Sequence, residues 1–134
     1  MLRHVRSGMR TVLHWLLTVF MVVAGANHFV APAAYIAMMP SALPTPAALV
    51  YVSGVAEILG GLGLILPPTR RLAGWGLIAL FVAIFPANIN MAVHHLSLGG
   101  REVPAWALWA RLPLQAVLVV WAYWCSRCSG ALPG

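Results

Sequence analysis

Residues 47–66 read AALVYVSGVAEILGGLGLIL, twenty residues with a single charged side chain, Glu57. About twenty predominantly apolar residues in helical form cover the roughly 30 Å of hydrocarbon in a bilayer. The stretch lacks the period-two alternation that a membrane β-strand would show, so it is read as a spanning helix. Residues 11–29, 72–93 and 105–123 are stretches of the same kind. Between the four lie Pro32, Pro40, Pro44 and Pro46, then Pro67 and Pro68, then Gly99, Gly100 and Pro104, the residue types that end helices and make turns. The sequence therefore predicts one all-α domain over residues 1–134, an integral membrane four-helix bundle.

Composition agrees. Hydrophobic residues make up 62% of the chain and charged residues 7%, against roughly 25% charged in soluble domains, which excludes a water-soluble globule. Eight arginines, no lysine and two acids, Glu57 and Glu102, give a formal charge of +6. The arginines are scattered between apolar blocks, so no nucleic-acid interface is expected. They report instead on contact with lipid headgroups and on direction across the bilayer. Arg3, Arg6 and Arg10 precede the first span, Arg70 and Arg71 join the second to the third, and Arg127 follows the fourth. All six fall on one side, which by the positive-inside rule is the cytoplasm, and both termini are expected there. Trp15, Trp75, Trp121 and Trp124 would anchor that interface, and Tyr51, Trp106 and Trp109 the opposite one. A competing reading takes the N-terminal arginines, the first apolar run and Ala24-Gly25-Ala26 as a cleavable secretory signal. The run continues past that site through Phe29 and Val30, which favours a span.

Residues 30–46 form a long, charge-free connection, the kind of loop that is often functional. With Tyr35, Met38 and Met39 it is expected to lie as a lid in the interface, with a short amphipathic turn over residues 33–39 stopped by Pro40.

Charged groups inside a span cost about 2.5 to 3.5 kcal/mol at its centre and face protein or a cavity. Glu57 lies mid-span, on a helical face with Ser53, Gly54, Gly60 and Gly61, small residues that let backbones approach closely. Arg111 and Gln115 share a face by their i, i+4 spacing. Glu57 and Arg111 are expected at similar depth, and a buried ion pair between them is the sharpest structural expectation. Asn27, His28, Asn88, Asn90, His94 and His95 fall in the same half of the spans, which outlines a polar cavity beneath the uncharged loop. Asn88 and Asn90 stand about 200° apart on a helix, so only one of them can line it. Pro86 withdraws a donor from the Val82 carbonyl, and one asparagine is a candidate to repair that turn.

Candidate polar-core and ligand-binding residues are thus His28, Glu57, Asn88, Arg111 and Gln115, with Asn27, Asn90 and His94 secondary. Neighbouring His94 and His95 make a poor chelating pair and no metal is expected; a haem between His28 and His94 or His95 is a minor alternative. Cys125 and Cys128 form a lone C-x-x-C without the strand and helix of a redox motif. No nucleotide loop, nucleophile elbow or zinc-protease motif is present.

Several strings, in order, resemble the DoxX family of small four-helix bacterial membrane proteins. They are Gly25-Ala-Asn-His28-Phe29, Tyr35, Met38-Met39-Pro40, Leu43-Pro44, residues 50–58 (VYVSGVAEI), Pro67-Pro68-Thr69-Arg70-Arg71 and residues 85–92 (FPANINMA). The resemblance covers roughly residues 25–115. It implies a bundle in the bacterial inner membrane with His28, Glu57, Asn88 and Arg111 in a shared polar core, and an association with membrane redox systems. The expectation that follows is an accessory subunit binding a quinone or similar amphiphile, with the lipid bilayer, a redox partner protein or a second copy as partners. The alternative is a noncatalytic scaffold or assembly factor. An electron carrier of its own is not identifiable in the chain.

Overall fold

The computed structural model describes residues 2–97 and 100–128; Gly99, read above as punctuation, lies outside them. Among the described residues the regular structure is helical: α1 (Leu2–Val30), α2 (Pro32–Met38), α3 (Pro46–Ile65), α4 (Arg70–His94) and α5 (Ala105–Arg127). Four of these are long and apolar enough to cross a membrane, and their outer faces carry exposed Val, Leu, Phe and Trp side chains. The helices overrun the apolar stretches at the arginine end. Residues 2–10 contain no proline, so nothing stops α1 from beginning well before Thr11, and α5 runs on to Arg127. The fifth helix, α2, begins on Pro32 and gives way to extended backbone at Met39, before Pro40.

Successive long helices pack antiparallel, and each seam is set by small residues. Along α1 and α3, a Cβ placed on Gly25 would lie 2.6 Å from the Gly54 carbonyl oxygen, and one on Gly54 would lie 2.8 Å from that of Gly25. Farther along, Gly61 lies against Thr18, whose hydroxyl donates to the Gly61 carbonyl at 3.0 Å. Between α3 and α4, Gly60 receives Leu77 and Gly63 receives Ala73; between α4 and α5, Gly74 receives Ala122 and Ser126. The glycines of α3 thus divide between two neighbours rather than sharing one face: Gly54 and Gly61 turn to α1, Gly60 to α4. The ring closes weakly, since α5 packs on α4 and barely meets α1. Ala24-Gly25-Ala26, the candidate cleavage site, lies inside α1 at its tightest contact with α3.

At the arginine end the bundle is tied by side chains reaching helix-end carbonyls, which have no partner within their own helices. Arg70, read from sequence as a loop charge, is buried instead. Its Nε donates to Leu64 O at 2.8 Å, its Nη2 to Ile65 O at 3.1 Å and its Nη1 to Cys128 O at 3.0 Å. One guanidinium therefore serves the C-terminal ends of α3 and α5, where the helix dipole also favours a cation. His14 ties α1 to the end of α5: its Nε2 lies 3.0 Å from Cys125 O, while its Nδ1 lies 3.0 Å from Arg10 O one turn back in its own helix. Carbonyls only accept, so a neutral imidazole satisfies one of these contacts and an imidazolium both. Between these ties sits the main core of Leu17, Met21, Leu64, Leu77, Phe81, Ala122 and Cys125. A second, smaller core of Met38, Met91, Ala92 and Leu108 seats α2 at the other end.

Two outcomes follow for thermal unfolding in detergent. Gly25→Val forces a branched side chain onto backbone and should destabilise by about 1–3 kcal/mol or more, whereas Gly76→Ala, with nothing within 4 Å, should not. Arg70→Ala strands buried carbonyls and should cost about 1–3 kcal/mol, while Arg71→Ala, at an exposed position, should leave the melting temperature unchanged.

Candidate functional site

The half of the bundle away from the arginine ties contains a cavity of about 270 Å³ to which every helix contributes a polar side chain: His28 from α1, Tyr35 from α2, Glu57 from α3, Asn88 from α4, and Arg111 and Gln115 from α5. The rest of its wall is mostly apolar, including Phe20, Met21, Phe81, Ile84, Leu114 and Leu118. The five residues expected to form the polar core all line it.

Their partners differ from expectation in one important respect. Glu57 does not pair with Arg111. α3 packs against α1 and α4, while α5 packs on α4, so Arg111 is held over α4, where its Nη1 donates to the Met91 sulfur at 3.3 Å. The group facing Glu57 is His28, with Nε2 3.6 Å from Oε2. Both residues are buried, and Glu57 Oε2 has no hydrogen-bond partner. The Gly25–Gly54 approach creates this pair, because it brings the next turn of α1 directly onto α3: His28 Nδ1 lies 2.9 Å from the Val50 carbonyl. A carbonyl requires a donor, so Nδ1 carries hydrogen and Nε2 is left to face the carboxylate. A bare lone pair opposed to a carboxylate is repulsive. One proton between Nε2 and Oε2 makes the contact attractive, whichever atom holds it.

On the far wall, Asn88 Nδ2 donates to Gln115 Oε1 at 2.6 Å, and Gln115 Nε2 donates to the Phe81 carbonyl. The side chain that reaches α4 backbone in the turn before Pro86 is therefore Gln115 from α5, not an asparagine. Pro113 interrupts α5 near the same level. Each proline removes one i to i−4 bond, so both helices lack a backbone bond near the residues that line the cavity. Pro113 went unweighed in the sequence, although a second intraspan proline was the available signal.

The connection forms α2, which adds Tyr35 and Met38 to the cavity lining and is held at three points. Tyr35 stacks on His28 with ring centroids 3.9 Å apart, its hydroxyl accepts from Asn27 Nδ2 at 2.8 Å, and Asn90 Nδ2 donates to Met38 O at 3.0 Å. Asn27 and Asn90 thus anchor α2 instead of lining the cavity. Tyr35 lines it, and sequence reasoning had placed that residue only in the loop. His94 is exposed and faces its own helix, Nδ1 lying 3.0 Å from Asn90 O, while His95 caps α4 in the left-handed region with φ of 49°. Neither histidine joins His28.

Among the described residues, no group of three or more His, Cys, Asp or Glu could hold a metal ion. Cys125 and Cys128 are free thiols at the arginine end, remote in the fold from the cavity. Burial pushes the Cys128 thiol up, an effect that Arg10 and Arg70 partly offset, so it is a weak thiolate source.

A double-mutant cycle tests the pairing. His28→Phe with Glu57→Leu should show a coupling of about 0.5–3 kcal/mol in thermal unfolding. Glu57→Leu with Arg111→Met should be additive within about 0.5 kcal/mol; coupling in the second cycle and none in the first would overturn the assignment.

Residues 17–126 match a family described as Domain of unknown function (DUF8561). No curated protein and no solved structure matches the chain. The match runs from the first spanning helix into the last and takes in every residue that lines the cavity, and the protein belongs to the DUF8561 family.

Proposed function

We propose that this protein sits in the bacterial inner membrane with its arginine end and both termini in the cytoplasm. In this reading its chamber, in the outer half of the bilayer, binds the polar head of a membrane amphiphile. The observation that carries this is the convergence of seven polar side chains, Ser53 among them and one or more from each helix, on a 270 Å³ cavity with a mostly apolar wall. A polar group withdrawn from water without a partner costs free energy. Structural glue alone would pair such groups and close the space between them. Here the His28–Glu57 contact, at 3.6 Å, is longer than a hydrogen bond, and Arg111 rests on a thioether, a weak acceptor. An amphiphile head supplies what both lack.

The positive-inside rule supports the orientation. The DoxX-like strings support the redox setting, in which the chain is an accessory subunit and a quinone is one candidate amphiphile. Quinone carbonyls would accept from Arg111 or Tyr35, and the His28–Glu57 pair could pass a proton. A scaffold or assembly role is the second reading. It is favoured by the helix-joining nature of the remaining polar contacts, Thr18 to Gly61, His28 to Val50 and Asn88 to Gln115.

Purification in mild detergent followed by lipid and quinone extraction with mass spectrometry separates the two. Binding predicts about one amphiphile per chain, lost when Ala87→Phe fills the chamber it lines. A protein that carries no amphiphile and copurifies with a partner would favour the scaffold.

A further inference from the structure

Two features narrow the ligand class, and both rest on the chamber being a binding site. The first is charge. The His28–Glu57 pair needs one proton to be attractive, and with it the pair is neutral overall whether written as imidazole and acid or as imidazolium and carboxylate. Arg111 is then the chamber's uncompensated charge. Its guanidinium offers five donors, yet among the described residues the Met91 sulfur is its one hydrogen-bond partner. A guanidinium matches a carboxylate bidentately and gains far more from an anion than from a neutral carbonyl.

The second feature is shape. The α1–α5 seam is scarcely packed, and the chamber wall there is Phe20, Met21 and Ala24 facing Leu114 and Leu118. Farther toward the arginine end, the same seam continues as an apolar groove between Leu13 and the α5 residues Val117, Val120, Trp121 and Trp124. Leu114 of the chamber wall and Val117 of the groove lie one turn apart on α5, so groove and chamber are neighbours along that helix. The groove ends near His14, whose contact with Cys125 O ties α1 to α5. A polar pocket with a cation, beside a strip of apolar groove on the same helix, is the outline of a head with one tail.

We propose that the chamber binds a single-chain monoanionic lipid, its carboxylate on Arg111 and its hydrocarbon tail along the α1–α5 groove, entering from the bilayer rather than from water. The commitment is to a charged head over a neutral one such as a quinone.

The test compares mid-chain-brominated stearic acid with its primary amide, which share a tail and differ in head charge. Binding to the full-length protein in nanodiscs of zwitterionic lipid is read as quenching of tryptophan fluorescence, since Trp121 and Trp124 line the groove. The acid should bind more tightly than the amide by about tenfold or more, and Arg111→Gln should remove that preference. Arg111→Lys, which keeps the charge, should retain most of it and controls for folding. Val117→Trp should weaken both probes, and butyrate should not displace the acid. Equal binding of acid and amide, unchanged by Arg111→Gln, overturns the anionic head while leaving the chamber as an amphiphile site. Displacement by butyrate overturns the tail groove. If neither probe nor a short-tailed quinone binds, the binding reading itself falls with the inference.

Discussion

The contact of Gly25 with Gly54 sets most of what lies around it. Two helix backbones meet where neither has a side chain, and one turn later His28 is pressed onto α3 with its Nδ1 against the Val50 carbonyl. That single bond fixes the tautomer, turns Nε2 toward Glu57 and offers the face of the ring to Tyr35. The lid, the proton-sharing pair and one wall of the chamber therefore hang on a distance between two glycines. A larger residue at either would part the helices and lose all three together.

The two ends of the bundle solve the problem of exposed helix termini in different ways. At the arginine end, Arg70 and His14 reach carbonyls at the ends of α3 and α5, and an apolar core packs between them. At the other end the closure is a short helix carried on side chains: Tyr35 on His28 and Asn27, Met38 in its small core, and Asn90 on the Met38 carbonyl. One end holds the helices at fixed separation. The other leaves space, covers it, and keeps the polar groups within it short of partners.

The spans could be read from the sequence because hydrocarbon thickness imposes a length that few other constraints require. Inward placement of Glu57 was legible for a similar reason, since a carboxylate among small residues has nowhere else to go at reasonable cost. Its partner was not legible. Depth along the bundle can be counted from the sequence, and by depth Arg111 and His28 are equivalent choices for Glu57. Which helix stands beside which is settled by the order α1, α3, α4, α5 around the bundle, and that order comes from how glycines on α3 are shared between two neighbours. Arg70 escaped for the opposite reason. The positive-inside rule explains a loop arginine so well that burial on three carbonyls leaves no further trace in the sequence.

Charge then becomes the deciding quantity in the chamber. A buried ion pair between Glu57 and Arg111 would have cancelled both charges and left a neutral pocket whose polar groups were already matched, with little reason to recruit anything. Pairing Glu57 with His28 changes the sum, because an imidazole accepts the carboxyl proton without adding a charge to the pair. The arginine on the opposite wall is left facing a cavity of low polarizability, where an unneutralised cation is costly. A protein can lower that cost by admitting water, by moving the side chain outward, or by holding an anion. The guanidinium rests on Met91, and most of the chamber wall is apolar. An anion arriving through the α1–α5 seam with its own hydrocarbon would neutralise Arg111 and fill that wall at once, which a small hydrophilic anion cannot do.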